Sequence, residues 1–133
     1  MNNLQILRRL KNLENFLGVF PIDHLPKPSF FPSCLIVNSQ DCILPGEHWI
    51  TLIFTSARRA YLFCSYGMPP EFYNLDKIYP EKEWFYYPRR VQATWATTCA
   101  KHCIYVLKCI FSNKCLQYIN NDVYNELLIN IYS

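Results

Sequence analysis

Three apolar runs crowd into the middle of the chain: "CLIVN" from Cys34 to Asn38, "HWITLIFT" from His48 to Thr55 and "AYLFCSYG" from Ala60 to Gly67. Each is rich in β-branched and aromatic residues and is bounded by turn formers, the pattern of a β-strand. The links between them are "SQDCILPGE" and the much shorter "SARR". So short a link leaves room for little but a reversal, so the second and third runs are expected to pair as an antiparallel hairpin.

A small sheet needs helices to cover it, and the flanks offer them. Leu4, Leu7, Leu10, Leu13 and Leu17 recur at helical spacing, with Arg8, Arg9, Lys11 and Glu14 between them. This predicts one amphipathic helix that stops near Gly18 and turns its leucines to the core. "VFPIDHLPKPSFFPS" follows, and its four prolines predict an extended connector over the surface. Residues 68–90 are rich in proline and aromatic side chains and show little period. From Thr98 onward Cys99, Cys103, Val106, Leu107 and Ile110 trace a helical face, and Asp122–Asn130 gives a second, shorter helix. Helices and a small mixed or antiparallel sheet are segregated along the chain, so the expected class is α+β. No internal repeat or low-complexity tract divides residues 1–133, which are expected to form a single domain.

Composition narrows the function classes. The chain has 133 residues, 51% of them hydrophobic and 17% charged, enough for a real core and unlike a disordered segment. A formal charge of +3, dispersed over Arg8-Arg9, Arg58-Arg59 and Arg89-Arg90, gives no basic stripe for nucleic acid. Seven cysteines, Cys34, Cys42, Cys64, Cys99, Cys103, Cys109 and Cys115, are an odd number for a disulfide framework. No secretory leader is legible at the N-terminus and no run reaches transmembrane length. The expectation is a soluble, non-secreted protein of a reducing compartment, in the nucleus or cytoplasm, with free thiols and no membrane partner.

Those thiols are either packing or chemistry. Thr97 and Thr98 stand where a helix cap belongs, so Cys99 falls in the first turn, beside unpaired N–H groups and the positive end of the helix dipole. That setting stabilises a thiolate, as a nucleophile requires. The competing reading is a small buried hydrophobe, and position alone does not separate the two. Cys103, one turn on, has the same face without the terminus and is expected to be core wall. A zinc site on Cys99, His102 and Cys103 would need a second ligand pair, and none follows at the usual spacing. No metal or cofactor is therefore expected. His48 opens an apolar strand just after Pro45 and Gly46 and can reach an active-site rim, although a histidine so placed also serves structure.

Taken in order, "FLGVFPIDHLP", "SCLIVNSQDCILPGEHW", "YLFCSYG" and "QATWATTCAKHC" resemble motifs of the adenovirus-type endopeptidases, or adenains. They look closer still to the relatives encoded by Polinton/Maverick mobile elements and related viruses, in a clan that also includes peptidases of ubiquitin-like modifiers. The resemblance covers about Phe16 to Leu107 and implies a papain-like, adenain-type fold with the nucleophile at a helix N-terminus. It implies that His48, followed by Trp49, is the base and Cys99 the nucleophile. Gln92 would donate to the oxyanion together with the Cys99 backbone N–H. Such a pair attacks a peptide carbonyl while two donors hold the negative oxygen of the tetrahedral intermediate. The implied substrate is an extended polypeptide with small residues beside the cut, in precursor proteins of a virus or mobile element. By resemblance alone, a short peptide or DNA would be an activator, and the virion a further location.

Two positions depart from the family's pattern. Where the family carries an Asp or Glu that orients the histidine, this chain has Cys64, a neutral group expected to do that work poorly. Losing such an acid costs a serine triad about 10⁴ in turnover, yet papain-like enzymes use a neutral Asn there. Cys64 is expected on the far side of His48 from Cys99, too distant for a disulfide. Ala100 replaces the glycine after the nucleophile, adding a methyl where backbone or substrate approaches closely. A catalytically silent member that holds a peptide or capsid partner in its groove is the alternative these departures favour. Glu47, Glu71 and Asp76 are the acids that could replace the missing carboxylate.

Overall fold

The computed structural model describes residues 2–39, 48–88 and 99–112. Its centre is a five-stranded mixed sheet in which spatial order follows chain order. The strands are β1 (Phe16–Pro21), β2 (Ser33–Asn38), β3 (Trp49–Phe54), β4 (Arg59–Phe63) and β5 (Glu83–Tyr86). β1 lies parallel to β2, β2–β3 and β3–β4 are antiparallel, and β5 is parallel to β4. The expected α+β class and the β3–β4 hairpin are both present.

Both faces of the sheet are covered, which is why β2 and β3 are buried along their whole length. One face carries Cys34, Ile36, Trp49, Ile53, Tyr61 and Phe63, packed under α1 (Asn3–Leu10) and α3 (Cys99–Ser112) through Ile6, Leu10, Cys103, Val106, Leu107 and Ile110. The other carries Leu35, Val37, Ile50, Leu52, Phe54, Leu62 and Cys64. These pack under a 3₁₀ turn (Pro70–Tyr73) and the one-turn α2 (Leu75–Ile78) through Tyr73, Leu75 and Tyr79. The sheet is thus the middle of three layers, and strand alternation sorts its side chains between two cores.

The N-terminal helix is shorter than its leucine spacing predicts. α1 ends at Leu10, and Ile6 and Leu10 are its buried residues, whereas Leu4 is 55% and Leu7 37% exposed. Leu13 and Leu17 lie beyond it and pack on opposite faces of the sheet. The i, i+3, i+4 spacing of these leucines merges a helix and a strand into one period. Gly18 in β1 has φ +136°, and a Cβ there would meet the Phe20 ring at 3.4 Å. This left-handed conformation marks a register irregularity between Phe16 and Val19 that no side-chain-bearing residue takes easily. The proline-rich connector starts only after β1, which takes Val19, Phe20 and Pro21, and it opens with a turn closed by the His24 N–H on the Pro21 carbonyl at 3.0 Å. Residues 68–90 hold the 3₁₀ turn, α2 and β5, which the low periodicity concealed. α3 is helical from Cys99 through Ser112, while Thr97, Thr98 and Asp122–Asn130 lie outside the described residues.

Candidate active site

The hairpin register assembles the site. β4 ends at Phe63 opposite Thr51, so the next residue, Cys64, is carried to the end of the sheet where His48 enters β3. Ser39, just past β2, anchors the histidine: its backbone N–H donates to the His48 carbonyl at 2.8 Å and its hydroxyl donates to the same oxygen at 3.1 Å. The His48 main chain is therefore fixed by the neighbouring strand before its ring makes any contact.

The ring is held on its Nε2 side. Tyr73 Oη lies 3.0 Å from Nε2, Cys64 Sγ lies 3.7 Å from it, and Cys64 Sγ and Tyr73 Oη are 3.0 Å apart. Tyr66 packs against the imidazole with ring centroids 4.9 Å apart. Tyr73 reaches this point because Pro70 starts a 3₁₀ turn with its φ already set, and Asn74 stops it in the left-handed conformation at φ 58°. Its phenol is then pressed into the sheet at 8% exposure. Burial among these groups pushes His48 down from its ordinary value to about 4, because a low-dielectric setting disfavours the charged ring. At neutral pH His48 is an uncharged imidazole.

Among the described residues no carboxylate takes part in these contacts. Glu71 and Asp76 make no ion pair with His48, and the one ion pair among the described residues joins Asp23 to its neighbour His24. Glu47 lies outside the described residues. The position expected to orient His48 is thus filled by Cys64, a free thiol, with the Tyr73 phenol beside it. Tyr73 was not among the residues singled out from sequence. Its prolines and Asn74 signal a turn, but nothing in the sequence signals a contact 25 residues away.

Helix α3 approaches the same end of the sheet from the other face. Cys103 is fully buried, and its thiol donates to the Trp49 carbonyl at 3.4 Å, which makes it wall. Cys99 heads α3 four residues earlier, about 6 Å along the axis at 1.5 Å per residue. Cys103, one helical turn on from Cys99, therefore touches the head of β3, where His48 precedes Trp49. The Cys99 side chain lies outside the described set, as do Gln92, Thr97 and Thr98. Strand alternation sends His48 and Cys64 toward the face opposite α3.

Ala100 is 1% exposed and belongs to the core cluster that holds Trp49 and Ile104, so its methyl packs in the helix–sheet interface. His102 is also buried, and desolvation lowers its pKa. Among the described residues no three metal-ligating side chains gather into a site, and no helix is long and apolar enough to cross a membrane. Set against known proteins, the chain matches no family model and no curated protein.

Proposed function

We propose that this chain is a papain-like, adenain-type cysteine endopeptidase that cleaves precursor proteins of a virus or mobile element. The observation that supports this most is His48 pinned at the head of β3, with its Nε2 turned to Cys64 and Tyr73, beside the strand end to which Cys103 ties the head of α3. In this reading Nδ1 of neutral His48 removes the proton from Cys99 Sγ. The sulfur then bonds to the substrate carbonyl carbon while Gln92 and the Cys99 N–H hold the oxyanion. The proton passes from imidazolium to the leaving amine, and water releases the acyl group by the reverse sequence. The substrate is an extended polypeptide, met in the nucleus or cytoplasm of the host or in the virion.

A thiol-reactive probe in limiting amount near neutral pH tests this. Selective labelling of Cys99 that falls in His48→Ala is the expected outcome. Labelling spread over several cysteines and indifferent to His48 would overturn it. The second reading, a silent module that binds a peptide or capsid partner, draws on the neutral Cys64 and on the weak basicity that burial gives His48; that second outcome is the one it predicts.

A further inference from the structure

The Nε2 side of His48 is better furnished than a lost carboxylate would leave it. Tyr73 Oη is 3.0 Å from Nε2 and 3.0 Å from Cys64 Sγ, and Cys64 Sγ is itself 3.7 Å from Nε2. An imidazole nitrogen has either one lone pair or one hydrogen, and which it has is set by its partner. As an acceptor, Nε2 could use only one of the two groups that converge on it. As a donor, its N–H is served by the phenol oxygen, with the sulfur as a weaker second acceptor. Tyr73 has one hydroxyl hydrogen, and Cys64 Sγ is an acceptor within its reach.

We infer that Tyr73 is the positioning residue of His48. Its Oη accepts from Nε2–H and its own O–H donates to Cys64 Sγ, which leaves Nδ1 with the lone pair. The phenol thus does part of what a carboxylate does in related sites: it fixes the tautomer and the ring plane, without supplying negative charge. Ring contact with Tyr66 at 4.9 Å limits rotation about the remaining bond. Cys64 then has a definite role, to hold the phenol hydrogen away from Nε2. The catalytic meaning of this arrangement rests on the proposed role of His48 as base, but the tautomer itself does not.

Nitrogen-15 NMR of the histidine side chains reads the tautomer directly in the full chain. The expected result is an Nε2–H tautomer for His48 in the wild type. In Tyr73→Phe, a mixture of tautomers appears while the amide fingerprint stays folded. In Cys64→Ala the freed phenol hydrogen turns to Nε2, and His48 shifts toward Nδ1–H; Cys64→Ser, which keeps an acceptor, restores the wild-type tautomer. An Nδ1–H wild type, or a tautomer indifferent to both Tyr73→Phe and Cys64→Ala, would overturn the inference. The probe rate at Cys99 is read on the same samples. A decrease of roughly tenfold or more in Tyr73→Phe is expected, because a small misplacement of a catalytic group is enough for such a loss. Were Cys99 labelling indifferent to His48→Ala while the tautomer follows Tyr73, the peptidase reading would fail and the positioning role would stand.

Discussion

A thiol beside His48 leaves the imidazole oriented but electrostatically unsupported, and single substitutions can measure the difference. A carboxylate at position 64, about 4 Å from Nε2, would attract the imidazolium by about 4 kcal/mol at an effective dielectric of 20. Cys64→Asp is therefore expected to raise the His48 pKa from about 4 to its ordinary range or above, and to speed probe capture at Cys99. It should also destabilise the fold by about 1–3 kcal/mol, since the new group is buried. Titration by NMR with parallel denaturant curves checks all three, and an unmoved pKa would show that position 64 does not govern His48. The same depressed pKa makes stability depend on pH. Between the unfolded value of 6.5 and the folded value of about 4, the unfolded chain binds a proton that the folded chain does not. Stability is therefore fully present above pH 6.5 and falls as pH drops toward 4, by up to about 3 kcal/mol. His48→Gln should flatten that part of the profile; a slope unchanged by the substitution would assign it to other groups.

At the scale of elements, the site depends on how two helices are moored to the sheet. Asn3 Oδ1 accepts from the Trp49 indole at 2.8 Å and from Asn38 Nδ2 at 3.3 Å, so α1 holds the strand end on which His48 sits. Asn2 caps that helix through a reciprocal bond pair with Gln5. Asn3→Ala leaves the Trp49 N–H, on a residue 4% exposed, without its acceptor. A loss of about 1–3 kcal/mol is expected, read by chemical denaturation, together with lower selectivity of labelling at Cys99. The sequence shows β2, the β3–β4 hairpin and α3 because each is a long apolar run or a clear helical period. It hides β1 and β5, which are short edge strands whose residues are half-buried or exposed, and it joins the α1 leucines to Leu13 and Leu17 by coincidence of spacing. His48 and Cys64 are visible as motif positions, and the hairpin register that sets Thr51 against Phe63 brings them together. Tyr73 is invisible because its contact depends on a 3₁₀ turn folding back over the sheet, which no local period encodes.

On the scale of the whole molecule, the sheet is one element shared by two cores, and its cysteines report on both. Cys34 and Cys103 are buried on the face under α1 and α3, while Cys64 is buried on the opposite face under Tyr73. Burial also pushes the Cys34 thiol above its ordinary range, so it reacts as a thiolate only after exposure. Each strand supplies alternate residues to both cores, hence neither face can lose its packing without disturbing the strands that hold the other. Brief alkylation pulses along a denaturant series should therefore find Cys34, Cys64 and Cys103 becoming reactive together, at the midpoint where far-UV circular dichroism is lost. Leu52→Ala on one face and Ile53→Ala on the other should each move that common midpoint to lower denaturant, by about 2–5 kcal/mol in stability. Cys64 released well before the other two would mean that the layer carrying Tyr73 opens on its own. The imidazole would then be oriented by a layer of low stability, and its Nε2–H tautomer would be lost at denaturant concentrations where the α3 face is still intact.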